Sequence, residues 1–427
     1  MRQAQDSRNV RPTHRNIKKI KTNGNFIMLV TFGPCRLNGR INAPASKSMA
    51  HRYLLGAAVS GKGGTLTGVD LNEDILASID CLRALGANVR ISGDSVIVDP
   101  QGFMKDIDPV LECRESGSTL RFFIPLALCL GRSVTLRGSE RLLSRPLTVY
   151  EDICHQNGFV FDQTKDSITV CGELKSGNYK VLGNISSQFI TGLIFALVYL
   201  GKDSCIEIIP PLESRPYVDL TVSALRSLGA DVKFADEHKI EIKAAEMHEL
   251  SVKIEGDYSN AAFLDAFNYI GSDVKVENLN VNSQQGDRIY KNYFDKIEQG
   301  TPTLDVSDCP DLAPVLIALA AMKNGATLIG TDRLKDKESN RGFAMHKELL
   351  KLGGGLILGD NTVIVPKQEL QYKGEALCGH NDHRIVMALS VILSRLGGTI
   401  EGAEAVNKSY PRFFDDIKGL GAEIKIL

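Results

Sequence analysis

Leu82–Arg90 reads L-R-A-L-G-A-N-V-R, and the phrase returns as L-R-S-L-G-A-D-V-K at Leu225–Lys233, L-L-K-L-G-G-G-L-I at Leu349–Ile357 and I-K-G-L-G-A-E-I-K at Ile417–Lys425. Each copy reads as an amphipathic helix that stops at a glycine and passes into a short strand. Glycine suits the stop because the residue after a helix end often takes the left-handed conformation. Looser copies end at Gly158 and Gly300, so the stops are Gly86, Gly158, Gly229, Gly300, Gly353 and Gly421. Roughly forty residues before each stop, a polar cluster opens a largely apolar helix: after Lys47-Ser48, Gly117-Ser118, Ser187-Gln188, Asp257-Tyr258, Pro310-Asp311 and Asp382-His383. An apolar helix without a polar stripe must be buried on all sides. Alternating segments such as Val89–Val98 and Ile168–Val170 predict strands with one face on helices and one on water. The period, about seventy residues, exceeds that of common solenoids, so three units per globular domain is the expectation. This pattern fixes an architecture and says nothing of activity.

At 427 residues, 43% hydrophobic, the chain outgrows a single core, which rarely passes roughly 250–300 residues. A formal charge of -1 excludes a general basic field for nucleic acid or membrane surfaces, so any anion affinity must come from local cation clusters. Nine scattered cysteines without C-x-x-C pairs argue against a disulfide framework and a structural zinc site, and fit a reducing cytoplasm. No metal or cofactor is implied. The apolar run Phe189–Leu200 falls short of the roughly 20 residues a membrane span needs and reads as a buried helix. Residues 1–28 carry Arg2, Arg8, Arg11, Arg15, Lys18, Lys19 and Lys21 against Asp6, without the apolar stretch of a secretory signal. They read as a disordered extension, with Met28 an alternative start.

The clusters that open the buried helices carry the chemistry. A helix N-terminus bears about half a positive charge and free N–H groups, and several converging would make an anion basin. Taken singly, each is an ordinary N-cap. In A-S-K-S-M-A-H-R (Ala45–Arg52), Ser48 and Arg52 share a helical face, while Lys47 opposes the helix dipole and so calls for an anionic ligand. E-S-G-S-T-L-R (Glu115–Arg121) flanks Gly117 with hydroxyls where backbone can approach a ligand. Arg145-Pro146, Ser186-Ser187-Gln188 and Arg215-Pro216 follow. The second half is richer in charge, with Asp311, Lys337-Glu338, Arg341, Asp382-His383-Arg384 and Lys408. Isolated pairs of this kind are usually surface salt bridges. Cations at four helix mouths, interleaved only with Asp311, Glu338 and Asp382, point instead to a multiply charged anion.

In this order the motifs S-K-S-x-x-x-R, S-G-S-T-x-R, S-R-P, S-S-Q, S-R-P-Y-x-D, G-D, P-D, K-E-x-x-R and N-D-H-R, with a late lysine before Tyr410-Pro411, resemble the 5-enolpyruvylshikimate-3-phosphate (EPSP) synthases from about Met28 to the end. The resemblance implies an α/β, two-domain inverse α/β barrel of six repeated units, with 29–45 and 256–427 forming one domain and 46–255 the other. It implies transfer of the enolpyruvyl group of phosphoenolpyruvate to the 5-hydroxyl of shikimate 3-phosphate, in a monomeric enzyme of the cytoplasm. Lys47, Gly117, Arg145, Gln188, Arg341, Arg384 and Lys408 would bind phosphoenolpyruvate. Ser48, Arg52, Ser186, Ser187, Gln188, Ser214, Tyr217, Asp311 and Lys337 would hold shikimate 3-phosphate. Asp311 would act as base toward the hydroxyl, with Glu338 or Lys47 the acid for C3.

Glu115 departs from the Asn frequent in that family, as do Ser118 and Phe122 from Thr and Pro. A carboxylate beside an anion site requires a cation such as Arg114, and bears on affinity and on the response to phosphonate inhibitors. His51 and His383 fall inside motifs that their Arg and Asp neighbours already explain. A sister family that uses UDP-N-acetylglucosamine pairs the early lysine with asparagine, so Lys47-Ser48 and Arg52 favour the phosphorylated acid. A non-catalytic paralogue that binds phosphometabolites would have no need of Lys47, Asp311, Glu338 and Arg384 together.

Overall fold

The computed structural model describes residues 20–22, 25–105 and 107–427. Most of the expected N-terminal extension lies outside these. Within it, Ile20–Thr22 pairs antiparallel with Asn25–Ile27, so these six residues are strand; the rest of that expectation lies outside the described residues.

Six inner helices appear where the polar clusters place them: Lys47–Val59, Gly117–Leu128, Ser187–Leu200, Tyr258–Tyr269, Ala313–Met322 and His383–Leu396. The fifth is preceded by a 3-10 turn at Pro310–Leu312. Six outer helices follow in alternation: Glu73–Ala84, Thr148–Asn157, Arg215–Arg226, Tyr290–Gln299, Arg341–Lys351 and Phe413–Gly419. Inner-helix side chains such as Leu54, Leu55, Ile190 and Leu316 are wholly buried, each contributing about 1.5–3 kcal/mol. At Gly192 a side chain would collide with the Arg121 carbonyl and the Tyr150 hydroxyl, because the second and third inner helices touch there backbone to backbone.

Five four-stranded sheets share one plan, a parallel pair followed by two antiparallel steps. In the first unit Leu250–Lys253 runs parallel to Gly64–Thr67, which pairs with Ser95–Asp99 and that with Asn88–Ser92. The fourth unit keeps only the parallel pair Asp273–Glu277 and Asn38–Asn42. This truncation explains the one glycine stop that departs from expectation. Gly300 has an extended φ of 172, because the chain runs on into Thr303–Asp305, the first strand of the next sheet, instead of turning into a hairpin. Gly86, by contrast, has φ 89 and Gly421 φ 96.

Each ring of three units is closed by a strand from far along the chain. Leu250–Lys253 returns to the first sheet, and Leu29–Phe32 inserts between Gly398–Glu401 and Ile424–Ile426. One hydrophobic core accordingly runs from Ala45 to Ile254, and a second joins Val30–Ala43 to Tyr258–Ala422. The chain passes between cores at two adjacent points, tied by Ser46 N–H donating to the Glu255 carbonyl and Asp257 N–H to that of Pro44. Helices inside and sheets outside, twice over, make this a two-domain inverse α/β barrel. Among the described residues no helix is long and apolar enough to cross a membrane.

Candidate active site

Five inner helices are capped by the side chain just before them: Ser46, Ser116, Ser186, Asp257 and Asp382 each accept from an N–H of the first turn. One donor of each first turn is thereby satisfied, and residues from all five first turns line a common gap. No first turn of these helices carries an acidic residue inside the helix.

A single cavity between the two cores is lined from one side by Lys47, Ser48, Arg52, Gly117, Arg145, Ser186, Ser187, Gln188, Ser214 and Tyr217, and from the other by Asp311, Lys337, Glu338 and Arg384. Two expected residues do not line it. Arg341 lies behind the carboxylates, and Lys408 is engaged by Glu115 and the Asn381 carbonyl.

Arg341 organises one wall. Only 1% exposed, it donates to Asp311 at 2.7 Å, to Glu338 at 2.7 Å and to Asp382 at 3.0 Å. Arg384 holds the other oxygen of Asp311 at 2.8 Å, and Lys337 stands 3.5 Å from the one that Arg341 binds. Burial acts to raise the Asp311 carboxyl, but Arg384, Lys337 and Arg341 outweigh it and hold the group well below the usual range. Burial likewise works against Glu338 ionising, and Arg341 and Arg145 reverse it. Both carboxylates are therefore fully ionised. The cations are altered in return: burial pulls Lys337 down to about 8, with Arg333 and Arg341 adding to the effect and Asp311 opposing it.

The opposite wall is built differently. Lys47 Nζ pairs with Asp74 at 2.7 Å. Arg52 donates to Thr221 at 2.9 Å and to the Ser48 and Tyr217 carbonyls at 2.7 Å, and burial lowers it to about 10. Arg145 reaches across the gap to the Asp336 carbonyl at 2.7 Å. A side chain at Gly117 would lie 2.7 Å from Arg145 and 3.0 Å from Arg121, so its missing Cβ lets two guanidiniums approach the backbone. Gln188 joins Ser118 at 3.0 Å to Arg121 at 3.2 Å.

Several residues here were not singled out from sequence. Arg121 stands four after Gly117 on one helix face, a spacing that marks it in the sequence. Arg333 donates to Ser214 Oγ from a 3-10 turn, where it reads as a surface cation. Asp74 reads as an ordinary first-turn acid. Asp287 follows Gly286 in a four-residue 3-10 turn, too short to show a pattern. His51 is held by Ser78 at 2.8 Å and packs edge-on to Phe122, as its motif neighbours suggested. His383 lines the cavity with both ring nitrogens unpartnered, and burial, with Lys47 and Arg384, keeps it neutral.

Residues 32–417 match the EPSP synthase (3-phosphoshikimate 1-carboxyvinyltransferase) profile. The 3-phosphoshikimate 1-carboxyvinyltransferase of Clostridium kluyveri is 39% identical over 417 residues, 92% of this chain and 98% of that protein. That of Clostridium perfringens is 36% identical over 422 residues, 93% and 99% of the two chains. The chain belongs to the EPSP synthase family. It is an enzyme of enolpyruvyl transfer, and the matches favour the phosphorylated acid over UDP-N-acetylglucosamine as the family's acceptor. In fold it superposes on an EPSP synthase structure from Acinetobacter baumannii with a TM-score of 0.75 at 22% identity, covering 94% of this chain and 100% of that one.

Against other EPSP synthases the departure at Glu115 now has a structural answer. Arg114 does not neutralise it, being bound to Glu73 and Asp80 at 2.7 Å. Lys408 does, from the other half, and Asn381 Nδ2 donates to both Glu115 oxygens at 3.2 Å. Lys408 also donates to the Asn381 carbonyl at 2.6 Å.

Proposed function

We propose that the cavity brings shikimate 3-phosphate and phosphoenolpyruvate together and transfers the enolpyruvyl group to the 5-hydroxyl, releasing phosphate. The observation that carries this reading is the convergence of Lys47, Arg145 and Arg384 on one gap that also holds Asp311 and Glu338. Ser186, Ser187, Ser214, Arg52, Tyr217 and Lys337 would hold the phosphorylated acid. Lys47, Gly117, Arg145, Gln188, Arg384 and Lys408 would hold phosphoenolpyruvate, with Arg341 positioning the two carboxylates in addition to any direct contact.

The reaction needs both substrates' negative charges offset, a base for the hydroxyl, and an acid and base for C3. The hydroxyl oxygen adds to C2 as its proton leaves toward Asp311, and C3 takes a proton from Lys47, because Glu338, held ionised by Arg341 and Arg145, carries none to give. Phosphate then departs as C3 gives that proton back. Substrate anions that draw Arg384 and Lys337 away from Asp311 would raise its basicity when it is needed.

The two cores, residues 29–45 with 256–427 and residues 46–255, are taken as domains that close on the acid substrate about the crossings near Ala45 and Glu255. Contacts such as Arg145 to Asp336 and Arg215 N–H to Asp308 at 3.1 Å support a closed arrangement. Nine unpaired cysteines support a cytoplasmic, reducing setting, and the reading takes a monomer as the working unit. The test is release of inorganic phosphate, measured with both substrates, each alone, and UDP-N-acetylglucosamine as rival acceptor. Phosphate released only with shikimate 3-phosphate supports the assignment. Release with the nucleotide sugar, or none, overturns it.

A further inference from the structure

Asp311, the assigned base, is a poor resting place for a proton while three cations surround it. A second carboxylate lies within reach. Asp287, 5% exposed and in the cavity wall, accepts from the Tyr217 hydroxyl at 3.1 Å, and that same hydroxyl lies 3.5 Å from Asp311 Oδ2. The other Asp287 oxygen is buried without any partner. Tyr217 thus stands between two carboxylates in opposite surroundings. Burial, then Asp311, raises Asp287 to about 7, with Asp257 adding and Arg384 and Ser259 opposing. Burial, Asp287 and Asp311 also keep the tyrosine itself protonated. Two carboxylates pushed apart in this way have separable acid and base roles.

We propose that Asp287 is the terminal acceptor of the hydroxyl proton, reached from Asp311 through Tyr217. As the substrate O–H bond breaks, its proton passes to Asp311, from Asp311 to the Tyr217 oxygen, and the tyrosine's own proton moves to Asp287. Asp311 ends ionised, Tyr217 neutral, Asp287 a carboxylic acid, and the freed oxygen bonds to C2. Asp287 acts through the Tyr217 hydroxyl, as a positioning and relay residue. The proposal rests on the enolpyruvyl transfer reading.

The groups facing Asp287 are Tyr217 from the third outer helix, Asp257 and Ser259 from the fourth inner helix, Cys309 and Asp311 from the turn before the fifth, and Arg384 from the sixth. Among them Asp287 is the one raised to about 7, so its ionisation sets the acidic limb. Wild-type kcat/KM, by phosphate release, is expected to rise with pH through that value. In Asp287→Asn the limb disappears and kcat at pH 8 falls about 100-fold or more, with shikimate 3-phosphate KM changed little. A structural role would lower the rate and leave the limb where it was, which overturns the relay. Tyr217→Phe keeps Asp287 but removes the bridge. It should lose the same limb, and the double variant should be no slower than the worse single one. Should Asp287→Asn fail to melt cooperatively, Tyr217→Phe decides alone: a retained limb overturns the proposal. A wild-type enzyme that releases no phosphate refutes the function itself, a separate outcome.

Discussion

The guanidiniums on the two sides of the cavity are held in opposite ways. Arg52, Arg121 and Arg145 rest mainly on neutral acceptors, the carbonyls of Ser48, Tyr217, Pro146 and Asp336. Arg341 and Arg384 rest on carboxylates. Burial lowers all three of the first group, opposed at Arg145 by Glu338. Burial works against the second group too, but Asp382, Glu338 and Asp311 raise Arg341, and Asp311 raises Arg384. A buried cation on neutral partners keeps its charge uncompensated and gains from an arriving anion. A cation bound by carboxylates has its charge partly compensated: it sets how basic those carboxylates are, and Arg384 serves a substrate anion only as that anion draws it from Asp311. One wall is built to bind and the other to move protons.

The sharpest way to break this division is to exchange its predicted kinetic signatures. Asp311→Ala should lower kcat by about 100-fold or more, the range for a lost general base, while substrate KM values move far less. Unchanged turnover would remove Asp311 from the chemistry. Arg145→Gln should do the reverse, raising phosphoenolpyruvate KM by about 10- to 100-fold through loss of a charge-assisted contact of roughly 1.5–3 kcal/mol. A fall in kcat at constant KM would place Arg145 on the catalytic side.

Lys337 sharpens the comparison because it belongs to the carboxylate wall yet binds like the other. Its folded-state value of about 8 lies below that of an unfolded lysine, so from about 8 upward the folded chain binds fewer protons than the unfolded one. Stability owed to this group therefore increases with pH across that window. Binding runs the other way. A bound phosphate favours the charged amine, so affinity for shikimate 3-phosphate is full below about 8 and declines as pH rises above it. Lys337→Arg, always charged, should flatten that decline in direct titrations between pH 7 and 10.

How much of this was legible in the chain differs by feature. The six inner helices were readable because burial on all sides strips a helix of polar residues, a signal that needs no partner to interpret. The truncated fourth unit was not, since the equally loose copy at Gly158 does end in a left-handed stop, and only strand pairing tells the extended exit at Gly300 from it. In the site, Lys47 and Arg384 announced themselves by standing at the wrong pole of a helix. Asp74, in the first turn of an outer helix, and Arg333 and Asp287, in short 3-10 turns, gained their positions only when distant parts of the chain met, and a single turn is too short to carry a period. The resemblance supplied residue roles that spacing alone could not, yet it gave no reason for Arg341 to sit behind the carboxylates.

The smallest expected effect concerns the pair in which Glu115 neutralises Lys408 from the other half. This pair inverts the rule of the binding wall, since it holds a proposed phosphoenolpyruvate ligand with a carboxylate. A substrate phosphate or carboxylate must displace Glu115 before Lys408 can serve it. Because Glu115 is half exposed, the pair is screened and worth about 0.2–1 kcal/mol. Glu115→Gln keeps the shape and the Asn381 contact while freeing the lysine. Phosphoenolpyruvate KM should then fall by up to about fivefold, with kcat unchanged and the gain shrinking as salt is added. A rise in KM would mean that Glu115 aims Lys408 at the substrate instead of competing for it, and that the two walls cooperate at their rim.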